Sequence, residues 1–369
     1  MMSGPLRGRG APVNPPGRFE RLRCEPCDDG WQAEPDCAPP RPETELRMER
    51  ARRLLTRNDS PDLPFAVSIN PYRGCEHGCI YCYARPSHNW LGLSSGLDFE
   101  TRIFAKANAR DLLAAELDRI RRPPQPIALG TNTDPYQPIE RRLALTRSLL
   151  EVLLARRTPV SIVTKSALVL RDLDLLSALA RAGLVEVYLS LTTLERTLAR
   201  RMEPRAAAPG RRLEVLRMLA AAGIPTGVLV APVIPGLTDH EIERILEAAA
   251  DAGVRRAGWA LLRLPHDLPE LFDAWLRNWF PQRRRRVLRL LRECRAGRLN
   301  DTAFGRRLRG QGPYAALLQR RFERACRRLG LEARRPRHAA GGGEPAPAQL
   351  ALFEPASSAP CRRAGANSL

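Results

Sequence analysis

Lysine is nearly missing from this chain: of 60 basic residues in 369, only Lys106 and Lys165 are lysines. Against a background of permanently charged guanidinium, a retained ammonium marks a place where a compact charge able to lose its proton has a use. Aromatic residues are scarce too, at 5%, so core volume must come from Leu, Val, Ile and Ala, which favours helices and α/β architecture. No apolar run approaches the roughly 20 residues that span a bilayer, and no hydrophobic signal segment follows the first basic residues. A cytoplasmic protein without membrane contact is expected. The nine cysteines are irregularly spaced and odd in number, which fits thiols or metal ligands in a reducing compartment better than a disulfide framework.

What is abundant is arginine. The formal net charge is +20, and between Pro281 and Ala340 nineteen arginines face only Glu293, Asp301, Glu323 and Glu332. Guanidinium binds phosphate bidentately, so nucleic acid is one candidate partner. A general preference for arginine and a solvated helix face account for the same composition without any partner.

The length suffices for one large domain with flanking segments or for two ordinary ones. Residues 1–60 are rich in Pro, Arg and Glu and read as a largely disordered extension, with a short polar helix over Glu43 to Leu55. Residues 61–268 read as the core, 269–335 as a helical basic cap packed on it, and 336–369 as a disordered tail. Within the core, short apolar runs at 65–70, 126–131, 160–164, 185–191, 226–233 and 258–264 alternate with helical patterns. Near-continuous apolar strands are those of a parallel sheet with both faces buried. The repeat gives either an open doubly wound sheet or a curved partial barrel. The glycine-rich dinucleotide fingerprint is absent after the first strand, which counts against a Rossmann fold. Asn70, Thr131 to Asp134, Thr164-Lys165, Ser190 to Thr193, Thr238-Asp239 and Arg263 sit near carboxyl ends of strands, where a barrel collects its chemistry.

After the first strand comes Asn70-Pro-Tyr-Arg-Gly-Cys75-Glu-His-Gly-Cys79-Ile-Tyr-Cys82. Three thiolates on a short glycine-bearing loop can wrap a cubane, each on a separate iron, and three ligands for four irons leave one iron open to a cofactor. A zinc site completed by His77 or His88 is the alternative, but His77 lies awkwardly between two cysteines and His88 would have to bend away from the strand ends. Three unmetallated buried cysteines are the third reading.

The Cys-x3-Cys-x2-Cys spacing, with Tyr81 as the aromatic before the last cysteine, resembles the radical S-adenosylmethionine (SAM) superfamily. Thr131-Asn-Thr-Asp-Pro-Tyr-Gln-Pro-Ile-Glu140, Met202-Glu-Pro-Arg205 and Pro232-Val-Ile-Pro-Gly236 are similar to a bacterial branch related to spore photoproduct lyase. The similarity spans roughly residues 60 to 330. It implies a partial (β/α)6 TIM-like barrel with a helical, arginine-rich C-terminal extension. It also implies a [4Fe-4S] cluster on Cys75, Cys79 and Cys82, S-adenosylmethionine across the strand ends, and a reducing partner such as flavodoxin or ferredoxin. The reaction implied is reductive cleavage to a 5′-deoxyadenosyl radical that takes hydrogen from an unidentified substrate.

By the same resemblance Tyr81 lies near the adenine, the second strand end meets the methionine amino group, and the fourth and fifth meet ribose and adenine. The usual Gly-Gly-Glu-Pro is missing, so Asn132 and Asp134 stand in for it, with Ser190, Thr192 and Val233 at the later strands. Arg205 can pin the cofactor carboxylate or form a structural salt bridge. Lys165 can touch a carboxylate or phosphate, Tyr136 can donate hydrogen or gate radical access, and Glu140 can orient a substrate or cap a helix. Residues 83 to 293 hold no cysteine, so Cys294 or Cys326 can donate hydrogen only if the cap folds over the mouth. Cys24, Cys27 and Cys37 lack an evident fourth ligand.

Overall fold

In a computed structural model the described residues are 8–19, 42–120 and 126–333. The strands are β1 (Glu45–Glu49), β2 (Leu55–Arg57), β3 (Val67–Ile69), β4 (Tyr72–Arg73), β5 (Arg102–Lys106), β6 (Ile127–Leu129), β7 (Val160–Thr164), β8 (Val185–Ser190), β9 (Thr226–Val233), β10 (Arg256–Leu261) and β11 (Glu332–Ala333). The helices are α1 (Asp98–Thr101), α2 (Ala109–Asp118), α3 (Glu140–Leu143), α4 (Leu145–Ala155), α5 (Leu173–Arg181), α6 (Arg196–Met202), α7 (Pro209–Ala221), α8 (Ile242–Asp251), α9 (Leu268–Trp279), α10 (Pro281–Glu293) and α11 (Gly312–Leu329).

The main sheet runs β11-β10-β9-β8-β7-β6-β3-β2. Its six central strands, β3 and β6 to β10, are parallel and lie in sequence order. Antiparallel β2 and parallel β11 extend the two edges. These six are the strands expected from the apolar runs, and the alternation of strand and helix carries each connection back across the sheet. Ser68 of β3 and Trp259 of β10 line one cavity although four strands separate them, so the sheet curls into an open partial barrel. A smaller sheet, β1-β5-β4, stands beside it.

Helix periodicity explains the outer layer. On α8 the buried Ile242, Ile245, Leu246 and Ala249 recur at helical spacing and face the sheet. Glu243 and Glu247, on the opposite side, pair with Arg321 and Arg328 of α11. Part of the arginine surplus is therefore spent on helix-to-helix ion pairs. Helices α9 and α10 bury Leu271, Phe272, Trp275, Val287 and Leu291 in a cluster with Ile80 and Tyr81 of the cysteine loop. The C-terminal helices thus share a core with the loop.

The N-terminal expectation does not hold for its described residues. Glu45–Glu49 is a strand paired in parallel with β5, not a polar helix; its partner strand supplies hydrogen bonds that a sequence window cannot see. Residues Gly10 and Ala11 donate backbone N–H groups to the buried Glu100 carboxylate at 2.9 and 2.8 Å. Cys24, Cys27, Cys37 and the tail expected over 336–369 lie outside the described residues.

Candidate active site

The cysteine loop begins where β3 ends. Asn70 ties it to the next strand: its Oδ1 accepts the Asn132 N–H at 2.9 Å and its Nδ2 donates to Thr131 Oγ1 at 3.1 Å. Gly74 and Gly78, each just before a cysteine, have φ of 78° and 66°, a region that β-carbon-bearing residues avoid. Space forbids a side chain as well, since a Cβ on Gly78 would lie 2.6 Å from Glu100 Oε2. The buried Arg85 donates to the carbonyls of Cys79 at 2.8 Å and Gly96 at 2.8 Å and pairs with Glu100. Gln137 holds the loop from the other side, accepting the Glu76 N–H at 2.9 Å and donating to the Gly74 carbonyl at 3.1 Å.

These restraints put Cys75, Cys79 and Cys82 on the wall of a cavity of about 650 Å³. None is in a disulfide. Burial, reinforced by Asp134, pushes the Cys75 thiol up, and burial reinforced by Glu203 does so for Cys79. Thiols so placed ionise when a metal takes the sulfur. The Asp134 backbone partly opposes that rise at Cys75. Among the described residues no three His, Cys, Asp or Glu side chains converge where one ion could sit. Three thiols on one cavity wall suit a cubane, which takes one thiolate on each of three irons. His88 is turned away, its Nε2 on the Arg102 carbonyl at 2.9 Å, and His77 pairs through Nδ1 with Asp134 Oδ2 at 3.3 Å.

The cavity brings together Tyr81, Asn132, Asp134, Lys165 and Ser190 with the three cysteines. Asp134 is already committed. Its Oδ1 accepts from Thr164 Oγ1 at 2.7 Å and from Tyr136 N–H at 2.9 Å, and its Oδ2 accepts from Lys165 N–H at 2.7 Å. Burial pushes its carboxyl up, but His77 and these donors outweigh it and bring the value to about 2. The carboxylate therefore stays ionised and fixes both His77 and the ends of β6 and β7. Lys165 Nζ donates to Ser190 Oγ at 3.0 Å and lies 5.8 Å from the Tyr81 ring centroid.

Four sequence-based assignments fall outside the cavity wall. Tyr136 is fully buried in the main core, its ring 6.0 Å from the Arg171 guanidinium; the turn after Asp134 rotates it behind the sheet end. Arg205 takes its structural alternative, pairing with Glu76 at 3.1 Å. Val233 is packed in the core, and Ala231 and Pro232 form the wall in its place, because a register irregularity interrupts the pairing of β9 with β10 there. Thr192 is buried behind Tyr81, sharing a hydrogen bond of 3.0 Å with the phenol oxygen and donating to Glu203 or Ala231.

Glu140 is likewise structural, paired with Arg171 at 2.7 Å and hydrogen-bonded by Tyr72. Cys294 and Cys326 lie in the main core and do not line the cavity. The stretch that does reach it from the C-terminal region is Gly305 to Arg309, held by the Leu308 carbonyl, which accepts the Leu261 N–H at 2.8 Å.

Behind Tyr81 lies a buried charge network that spacing did not disclose. Tyr81 donates to Glu203, which pairs with the fully buried Arg212; Arg212 also donates to the Ser190 carbonyl at 2.7 Å. Burial raises the Glu203 carboxyl, yet Arg212 and Lys165 pull it down to about 2. Its one sequence signal was the Met202-Glu-Pro-Arg205 segment.

Residues 69–249 match the family model described as the Radical SAM superfamily. This stretch is a radical SAM domain. The chain is 39% identical over 222 residues to an uncharacterized protein of Mycobacterium tuberculosis, covering 60% of this chain and 65% of that one. A match to an uncharacterized protein of Methanocaldococcus jannaschii is 33% identical over 173 residues, 47% of this chain and 62% of that one. The match thus spans somewhat under two thirds of these relatives. Spore photoproduct lyase complexed with dinucleoside spore photoproduct has the same fold, with TM-score 0.58 and 17% identity, over 78% of this chain and 81% of that one. The radical SAM domain starts at the end of β3 and ends within α8, while the cavity also draws on β10 and the Gly305 to Arg309 segment.

Proposed function

We propose that this protein is a radical SAM enzyme that cleaves S-adenosylmethionine reductively and takes a hydrogen atom from a substrate held in the same cavity. The observation that carries the reading is the placement of three thiols outside any disulfide, Cys75 and Cys79 buried and Cys82 partly so, on the wall of a roughly 650 Å³ cavity at the ends of six parallel strands. A volume of this size accommodates small molecules and largely buries them.

Cys75, Cys79 and Cys82 would hold the [4Fe-4S] cluster. When bound, the cluster supplies one electron to the sulfonium of S-adenosylmethionine, giving methionine and a 5′-deoxyadenosyl radical. Glu203 and Thr192 fix the Tyr81 phenol, so its ring presents one face to the cavity beside the cysteines. Lys165 and Ser190 offer a cation and a hydroxyl to a carboxylate or ribose. Asn132, whose N–H is occupied by Asn70, keeps its side chain for the amino-acid end of the cofactor. The Gly305 to Arg309 segment and the cysteine loop both form part of the cavity wall, where they would help to shield a reactive intermediate from water. A flavodoxin or ferredoxin would deliver the electron.

The test is anaerobic iron-sulfur reconstitution, reduction with S-adenosylmethionine and assay of 5′-deoxyadenosine, with Cys79→Ala as control. Product that disappears in the variant supports the reading. Tightly bound zinc with no iron-dependent product overturns it.

A second reading makes the substrate a nucleic acid. It is supported by the exposed Arg283, Arg285 and Arg286 on α10 and by the +20 charge. Binding that weakens steeply with salt supports it, and salt-independent or absent binding overturns it.

A further inference from the structure

The cavity wall carries an unbalanced charge beyond the Lys165–Asp134 region. Arg57, Arg263, Arg307 and Arg309 line it, and apart from Asp134, already committed to His77 and its donors, Asp62 is the one carboxylate among the lining residues. Asp62 is fully engaged by Arg307, which donates to it through Nε at 2.8 Å and Nη2 at 2.6 Å. Arg309 donates to the Trp259 carbonyl at 3.1 Å, and its guanidinium lies 4.9 Å from the Trp259 ring centroid. Arg263 has neither a carboxylate nor a carbonyl partner. Among the described residues it forms no hydrogen bond or ion pair, and its guanidinium stacks on Tyr83, 4.6 Å from the ring centroid.

Its setting makes this costly. Arg263 is partly buried, and Arg307 lies near enough to repel it; burial and that repulsion together lower its proton affinity. Arg295 sits behind, fully buried, donating to the carbonyls of Leu261 at 3.1 Å and Leu262 at 2.6 Å. Burial and Arg263 bring it down to about 10. Arg263 and Arg307 thus share one carboxylate, Asp62, with the buried Arg295 behind them, an arrangement that an incoming anion relieves. The neighbouring walls are apolar, supplied by Leu63, Pro64 and Phe65. Tyr83 follows Cys82 directly in the chain, so the stacked Arg263 stands against the same loop that carries the cysteines.

Resting on the reading of this cavity as the reaction chamber, we propose that Arg263, backed by Arg307, binds a phosphate group of the substrate and thereby sets the substrate against the cysteine loop. The fork of guanidinium donors matches phosphate oxygens, and the surplus positive charge suits a group carrying more than one negative charge. The same chemistry is offered by a small phosphorylated metabolite and by a phosphodiester of a nucleic acid strand.

The experiment titrates the full-length, cluster-reconstituted protein with inorganic phosphate, thymidine monophosphate and a short single-stranded DNA, following heat of binding. Charge-assisted hydrogen bonds to one guanidinium predict that Arg263→Gln weakens the phosphate probes by roughly ten-fold or more. Arg263→Lys recovers part of that loss, and Arg110→Gln, an exposed residue of α2 away from the cavity and from α10, leaves affinity within about two-fold. Monophosphate binding as tight as that of DNA assigns a small substrate; DNA binding far tighter, with the same Arg263 dependence, assigns a phosphodiester. Absence of saturable binding by all three probes, or equal affinity in wild type and a folded Arg263→Gln, overturns the proposal. Wild-type 5′-deoxyadenosine formation is read separately. Product without phosphate binding sinks only this inference; phosphate binding without product sinks the radical chemistry instead.

Discussion

Replacing Glu203 by glutamine removes the charge at the centre of the network behind Tyr81 while keeping the side chain's shape. In the wild type its carboxyl falls from the ordinary 4.5 to about 2, because Arg212 and Lys165 outweigh the opposing effect of burial. The gap is worth about 3 kcal/mol of folded-state stabilisation. Loss of one partner from a buried ion pair costs a similar ~3–5 kcal/mol, since Arg212 is left charged and enclosed. Urea unfolding at neutral pH should therefore show Glu203→Gln destabilised by about 3 kcal/mol.

The pH dependence follows from the sign of the shift. A depressed carboxyl stabilises fully above its unfolded value, and that stabilisation is lost as pH falls through the folded value. The difference between wild type and variant should be constant above pH 4.5 and narrow toward pH 2. A second variant, Glu203→Leu with Arg212→Met, replaces the pair with apolar groups and should recover much of the loss. An unchanged unfolding midpoint for Glu203→Gln, or a gap equally wide at pH 3 and pH 7, refutes the reasoning.

Gly78→Ala should lower stability by roughly 2 kcal/mol or more, combining a left-handed backbone penalty with displacement of Glu100; iron retained per chain after reconstitution and thermal melting check it, and wild-type values for both would contradict the geometry. Removing iron with a chelator should lower the melting temperature, because bound metal stabilises the folded loop; an iron-free protein that melts with the loaded one would speak against ligation by this loop. Asp62→Asn should free the Gly305 to Arg309 segment by weakening its pairing with Arg307, seen as faster trypsin cleavage after Arg306, Arg307 or Arg309. An unchanged digestion rate would show that the Leu308 to Leu261 hydrogen bond alone holds the segment.

The sequence by itself determined the six parallel strands, the helices between them and the cysteine loop. Those features depend on local information. A run such as Val160-Ser-Ile-Val-Thr164 states its own burial, and three cysteines within eight residues must share one loop. The tertiary structure alone decided which polar residues near the strand ends meet the cavity. Asp134 and Lys165 do, whereas Tyr136, Arg205, Thr192 and Val233 are turned away by a tight turn, an ion pair, a hydrogen bond to Tyr81 and an irregular register. A sequence places a residue at a strand end but leaves its side-chain direction to the packing around it. The strand Glu45–Glu49, the Glu203–Arg212 pair and the stacking of Arg263 on Tyr83 join residues 9 to 180 positions apart. Such pairings cost chain entropy to form and arise only once the folded core has fixed both partners.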